Sequence, residues 1–306
     1  MRKVFLIIGG VLLMILGIAV WNYHADVPVA VLKAQYTYPD SKFIDIDGMP
    51  VHYRRTGAGP SLLLLHGTGA SLHTWEGWTE RLQDSFELVS VDLPAFGLTG
   101  PQPQGDYSIG AYVHFVEAFT QAVGVDSFHL AGNSLGGLIA WEYALAHPEK
   151  VRKLILIDAA GWPKTTPVSL GFRLARMPVV GDVLEKVTPR AMFYKSLREV
   201  YYNDDKVTDS LTSRYFDLFL RQGNREAFVA RARQPQHGDP QRLAGFNHPT
   251  LLQWGAEDAW IPLADAYRFQ EVLPQAELIV YPETGHVPME ERPEETARDV
   301  RAFLGR

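Results

Sequence analysis

A serine hydroxyl becomes a nucleophile only when a neighbouring base takes its proton. Ser134 is the residue whose surroundings best suit that chemistry. It lies in Gly132-Asn133-Ser134-Leu135-Gly136, between an apolar run at 128–131 and a helical stretch opening at Leu135. A strand that turns into a helix this sharply pushes the serine out above the strand end, and glycine is needed on both sides where strand and helix close. His286, in Thr284-Gly285-His286-Val287-Pro288, follows the last apolar run and is the candidate general base. His24, His73, His114, His147 and His237 fall in linker, helix or insertion positions, where a base is not expected. The imidazole needs an acid to hold its tautomer and orientation. Asp258, in Gly255-Ala256-Glu257-Asp258 after the run ending at Trp254, is the choice, with Glu257 and Asp158 as rivals. The negative charge that develops on a carbonyl oxygen needs backbone N–H donors. Leu135 supplies one, and Thr68, in His66-Gly67-Thr68-Gly69, supplies the other. Phe96, Trp162 and Trp260 are candidate walls of an acyl pocket, although aromatics at such positions serve equally well as core.

These residues require elements that bring them to one edge. Lys42–Ile46 and Val51–Arg54 alternate apolar with polar around Asp47-Gly48, a hairpin signal. Ser61–Leu65 is continuously apolar, as a strand buried on both faces should be. Helical and strand-like stretches then alternate: 71–84 helix, 86–91 strand, 108–123 helix, 128–131 strand, 135–147 helix, 151–157 strand. That alternation predicts βαβ units and a mostly parallel sheet, an α/β fold. It stops over 162–235, which holds several helix-like stretches and no apolar strand, and resumes with 249–254, 261–273, 278–281 and 293–304. The interruption reads as a helical cap inserted over the strand ends. It carries 13 Lys/Arg against 8 Asp/Glu in a chain whose net charge is −6. A set of solvated helix faces accounts for that surplus; attraction to anionic head groups or substrates is the sharper reading.

The 306 residues suffice for one large α/β domain, and 46% apolar with 21% charged residues is ordinary for a folded one. The absence of cysteine removes disulfides, thiolate metal sites and a thiol nucleophile. No His/Asp/Glu cluster shows metal-ligand spacing, and the negative net charge gives no reason to expect nucleic acid. The first 23 residues differ from the rest. Arg2 and Lys3 precede an unbroken apolar or glycine run from Val4 to Val20, with Trp21 and Tyr23 after it. As a helix, 4–21 would span roughly 27 Å at about 1.5 Å per residue, close to a bilayer core of about 30 Å. It is expected to be one N-terminal transmembrane helix, with 24–41 as linker and 42–306 as the folded domain. A cleaved signal peptide and a buried helix are the competing readings. Either leading reading places the domain on the non-cytoplasmic side of a membrane, periplasmic or extracellular, and secreted if the segment is cleaved.

From about residue 42 onward the chain resembles the α/β-hydrolase fold superfamily. The resemblance rests on His66-Gly67, Asp92-Leu93-Pro94-Ala95-Phe96-Gly97, the Gly132–Gly136 elbow, Asp258 and Gly285-His286, which follow in the family's order of nucleophile, acid and base. Ala95 stands where the family more often has glycine. The resemblance implies an eight-stranded, mostly parallel sheet, a helical cap and no cofactor. A serine at the nucleophile position disfavours the aspartate-dependent dehalogenases and epoxide hydrolases. The expected activity is hydrolysis of a small-molecule carboxylic ester, with the tether suggesting a lipid-like one, and with carbon–carbon bond hydrolysis, perhydrolysis or a silent binding module as alternatives. A dinucleotide-binding reading of Gly67-Thr68-Gly69 fails because Leu72 occupies the third glycine position.

Overall fold

The structure is a computed structural model that describes residues 10, 13, 14, 17, 19–163, 165–166, 168–235 and 237–305. Eight strands form one sheet: β1 (Ser41–Ile46), β2 (Met49–Thr56), β3 (Ser61–Leu65), β4 (Glu87–Val91), β5 (Phe128–Asn133), β6 (Val151–Ile157), β7 (Thr250–Gly255) and β8 (Glu277–Tyr281). Their spatial order is β1-β2-β4-β3-β5-β6-β7-β8. β1 and β2 are antiparallel additions at one edge, and the other six strands run parallel. All six therefore end at one edge, where loops from different strands can meet. The eight-stranded, mostly parallel α/β sheet expected from the sequence is present.

The parallel strands read as unbroken apolar runs because both faces of the sheet are covered. On β3, Leu63 and Leu65 belong to one core and Leu62 and Leu64 to the other. The first core is closed by α3 (Ile109–Val123), α4 (Leu135–Ala146) and α10 (Leu263–Val272). The second is closed by α2 (Glu76–Leu82) and α12 (Pro293–Leu304), with Trp75 and Trp78 fully buried. Each fully buried leucine of this kind contributes roughly 1.5–3 kcal/mol. The stretch 71–84, read as one helix, is a 3-10 turn (Leu72–Trp75) followed by α2. α3 has sequence-encoded ends: the Ser108 hydroxyl accepts the Ala111 N–H, and Gly124 closes the helix in the left-handed region at φ 68°.

The insertion after β6 folds as helices α5 (Leu170–Arg176), α6 (Val180–Leu184), α7 (Arg190–Val200), α8 (Asp209–Phe219) and α9 (Asn224–Ala232), with no strand among the described residues of 162–235. The segment read as a linker is not a free spacer. It contains α1 (Val29–Tyr36), whose Leu32 is buried against Leu98 and Leu218. Val27 exchanges backbone hydrogen bonds with Leu220 and Gln222, and Tyr36 donates to Asp217. Its partners lie 66 to 195 residues away in the chain, so the segment's own composition did not reveal the docking. Much of the expected transmembrane helix lies outside the described residues. No helix of the described residues is long and apolar enough to cross a membrane.

One buried carboxylate ties the sheet edge to its loops. Asp92, just after β4, accepts the N–H groups of Leu72 and Leu98 at 2.7 Å and pairs with His52 Nδ1 on β2 at 2.7 Å, all fully out of water. Burial raises its pKa, but the imidazoles of His52, His66 and His73 together outweigh burial and leave it at about 2. A depressed carboxyl contributes stability that is present above the unfolded value of about 3.9 and is lost as pH falls towards about 2. Asp92→Asn should lower unfolding free energy by about 3 kcal/mol, because it strands a buried network. Urea unfolding should also show that the mutant loses the acid-side fall in stability between about pH 4 and about pH 2. Unchanged stability and an unchanged acid limb would refute this account of the network.

Candidate active site

Ser134 sits between β5 and α4 with φ 55° and ψ −114°, a conformation that non-glycine residues rarely hold. The surrounding packing enforces it. A Cβ on Gly132 would lie 2.1 Å from the Gly136 carbonyl oxygen, and one on Gly136 would lie 2.0 Å from that of Leu65. Any side chain at either position would force strand and helix apart. Ser134 donates its backbone N–H to Ile157 at the end of β6, and its carbonyl accepts from Leu138 and Ala160. Ser134 is thus held by its backbone.

His286 follows β8, and its Nδ1 lies 2.6 Å from Asp258 Oδ2. The other carboxylate oxygen of Asp258 accepts the N–H groups of Trp260 at 2.7 Å and Ile261 at 3.0 Å, which fixes the plane of the carboxylate. Both side chains are buried. His286 Nε2 is also buried and makes no hydrogen bond among the described residues. That leaves it as the nitrogen able to take a proton. Of the rival acids, Glu257 turns to the Thr284 N–H at 3.0 Å, outside the His286 pair. Asp158 is fully buried close to Asp258 and His286; the three groups offer atoms all within 4.8 Å of one another.

The loop after β3 lies directly on the elbow: a Cβ on Gly67 would be 3.2 Å from Ser134 Cβ. Leu135 is the first residue of α4, so its N–H is one of the unpaired donors at the positive end of that helix. His66 serves this loop structurally. Its Nδ1 reaches the Gly67 carbonyl at 2.7 Å, its Nε2 accepts the Leu93 N–H at 2.9 Å, and burial lowers its pKa.

Two cavities meet at these residues, sharing Thr68, Ser169, Phe172 and Trp260. The first, of about 140 Å³, runs under the cap along Met192, Phe193, Leu197, Phe219, Phe228 and Val229 and touches His286. The second, of about 410 Å³, opens from Ser134 and Leu135 past Trp162 towards Arg176, Arg231 and His237. Trp162 and Trp260 therefore line the space in front of the serine. Phe96 does not. It is 3% exposed, packs edge-on to His66, and belongs to the sheet core, because the turn that carries it folds back through an Ala95–Gly100 hydrogen bond. Ala95, at the position where glycine is more usual, takes φ 79° in that turn.

Some contributors carried no signal in the sequence. Asn133 donates to the carbonyls of Ile157 and His286, tying the elbow to the histidine loop. Glu291 accepts the N–H groups of Gly285, Tyr202 and Asn203, and His286 itself donates its N–H to Val200 at 2.7 Å. The cap thereby holds the loop that carries His286. These bonds join residues far apart in the chain, so spacing could not announce them.

Known proteins share this arrangement of elements. Lipase 3 of Moraxella sp. (strain TA144) is 29% identical over 250 residues, covering 80% of this chain and 77% of that protein. A membrane phospholipase A of known structure is 30% identical, with TM-score 0.75, over 100% of this chain and 98% of that one. A meta-cleavage product hydrolase superposes with TM-score 0.76 at 25% identity, over 86% of this chain and 97% of that one. A family profile described as alpha/beta hydrolase fold matches residues 60–293, from the strand before the glycine loop to the start of the last helix. With the sheet order, the elbow and this match together, the chain belongs to the α/β hydrolase fold family.

Proposed function

We propose that the chain is a serine hydrolase of carboxylic esters, with Ser134 as nucleophile, His286 as general base and Asp258 as the acid behind it. The observation that carries the reading is the position of this set at the seam of two cavities, one lined mainly by apolar cap side chains, with Arg225 and His286 also on its wall, and one reaching Arg176, Arg231 and His237. An acyl chain suits the first and a more polar leaving group the second. Ser134 Oγ attacks the carbonyl carbon and gives its proton to His286 Nε2. The N–H groups of Thr68 and Leu135 receive the oxyanion. His286 then protonates the leaving alcohol, and a water activated by the same nitrogen releases the acid. Trp162 and Trp260 form the wall shared with substrate.

The lipase and the phospholipase among its relatives support a lipophilic ester, and the apolar run at 4–20 supports a membrane tether with the domain on the non-cytoplasmic side. The meta-cleavage hydrolase supports carbon–carbon bond cleavage as the second reading, since the same nucleophile and base serve both.

On p-nitrophenyl esters from acetate to long acyl chains, turnover should depend on chain length, and Ser134→Ala should remove at least about 10⁴-fold of it while far-UV circular dichroism is unchanged. Full turnover in that mutant would end the assignment. Folded wild-type protein silent on every ester would favour carbon–carbon hydrolysis or a binding role instead.

Thr68 is invoked for its N–H and not for its hydroxyl. Thr68→Ala should cost no more than a few-fold in kcat. Thr68→Pro, which removes the donor, should cost about 10²–10³-fold. Equal losses in the two variants would point to the hydroxyl.

A further inference from the structure

Asp158 is a fully buried carboxyl that the mechanism above leaves idle. It follows β6 with φ 42°, a backbone conformation in the left-handed region that aspartate tolerates better than most residues. Its N–H donates to Gln253, and its Oδ1 accepts the Gly255 N–H at 3.0 Å, so the strands on either side hold it in place. Its Oδ2 is buried and has no partner of regular hydrogen-bond geometry among the described residues. It stands in the same small volume as Asp258 and His286, within 4.8 Å of both. Burial, and then the charge of Asp258, raise its pKa well above the ordinary carboxyl range, with Glu291 adding to the effect. Two carboxylates in one dry site cannot both ionise cheaply. The crowding of buried carboxyls thus favours the neutral form at Asp158.

We propose that Asp158 is the second acid of this site: a positioning residue that donates a hydrogen bond to Asp258 and becomes the partner of His286 Nδ1 when Asp258 is lost. The proposal rests on the triad reading above. In the resting site the donated bond spreads the Asp258 charge, which tempers its pull on the imidazole. Without Asp258, the other carboxyl that acts on Asp158 is Glu291, which the N–H groups of Gly285, Tyr202 and Asn203 already satisfy and Lys206 faces. Asp158 then ionises beside His286, and a rotation of its side chain brings the carboxylate to Nδ1.

The test uses the full chain and a fluorophosphonate probe that labels activated serines, so it needs no knowledge of the natural substrate. The labelling rate at Ser134 is measured from pH 5 to 9 for wild type, Ser134→Ala, Asp158→Asn, Asp158→Ala, Asp258→Ala and the Asp158→Asn/Asp258→Ala pair, with thermal unfolding of each. We expect Asp258→Ala to lose about 10²-fold and the double mutant at least a further 10-fold, far beyond the effect of Asp158→Asn in the wild-type background. Asp158→Ala should move the acid limb of the rate profile to higher pH. Asp158→Asn, which keeps a donor, should restore the limb towards wild type. A double mutant no worse than Asp258→Ala, or an Asp158→Ala profile that lies on the wild-type limb, overturns the proposal while leaving the triad intact. Wild type that is not labelled, or labelling that survives in Ser134→Ala, overturns the triad reading as well. If Asp158→Ala unfolds, the comparison of Asp258→Ala with the double mutant decides alone.

Discussion

The candidate site is built around a very close approach of strand and helix backbones. β5 and α4 meet at Gly132 and Gly136 with no room for a Cβ on either, and the first turn of α4 presses on the carbonyls that end β3. That contact forces Ser134 into its strained conformation, aims the start of α4 at the space above it, and brings the Gly67 loop against the serine. Strain of this kind costs on the order of 1–3 kcal/mol per residue and persists only when the surroundings over-determine it. Here the surroundings are six parallel strands buried on both faces, which can carry such a cost.

Two buried aspartates at the same sheet edge show how environment divides one side-chain type into different roles. Asp92 faces an imidazole and stays ionised to about pH 2. Asp158 faces another carboxylate, and its pKa is raised. Between them, Asp258 has two backbone donors on one oxygen and the imidazole of His286 on the other. Partners thus set the direction of each shift: imidazoles around Asp92 lower its pKa, and a neighbouring carboxyl raises that of Asp158.

The cap does more than cover the strand ends. It supplies the apolar wall of one cavity through α7, α8 and α9, and it holds the histidine loop through the Val200 carbonyl and the Tyr202 and Asn203 N–H groups. The N-terminal segment is bound to the same cap. Thr188 donates to the Asn22 carbonyl, His24 to Lys186, and the nearly fully buried Arg225 reaches His24 and Asp26. Movement of the cap would therefore be felt both at His286 and at residues 22–26.

The sequence by itself determined the sheet, the insertion and the residues most able to react. Strand runs of buried leucine and valine, the glycines of the elbow and the Gly-His after the last strand are local statements, and local sterics decide them. Asp258, singled out because it follows a strand end and precedes a helix, lies 2.6 Å from His286 Nδ1. Tertiary structure alone decided the rest. Phe96 looked like a pocket wall but a turn closed by Ala95 and Gly100 buries it beneath His66. Residues 24–41 looked like a spacer because the surface that buries Leu32 comes from Leu98 and Leu218. Asp158 was one rival acid among others until folding placed it beside Asp258 and His286. Each of these depends on which distant residue arrives at a given surface. A carboxyl's charge and an aromatic's role are properties of the neighbours that folding supplies, and no spacing within one segment contains them.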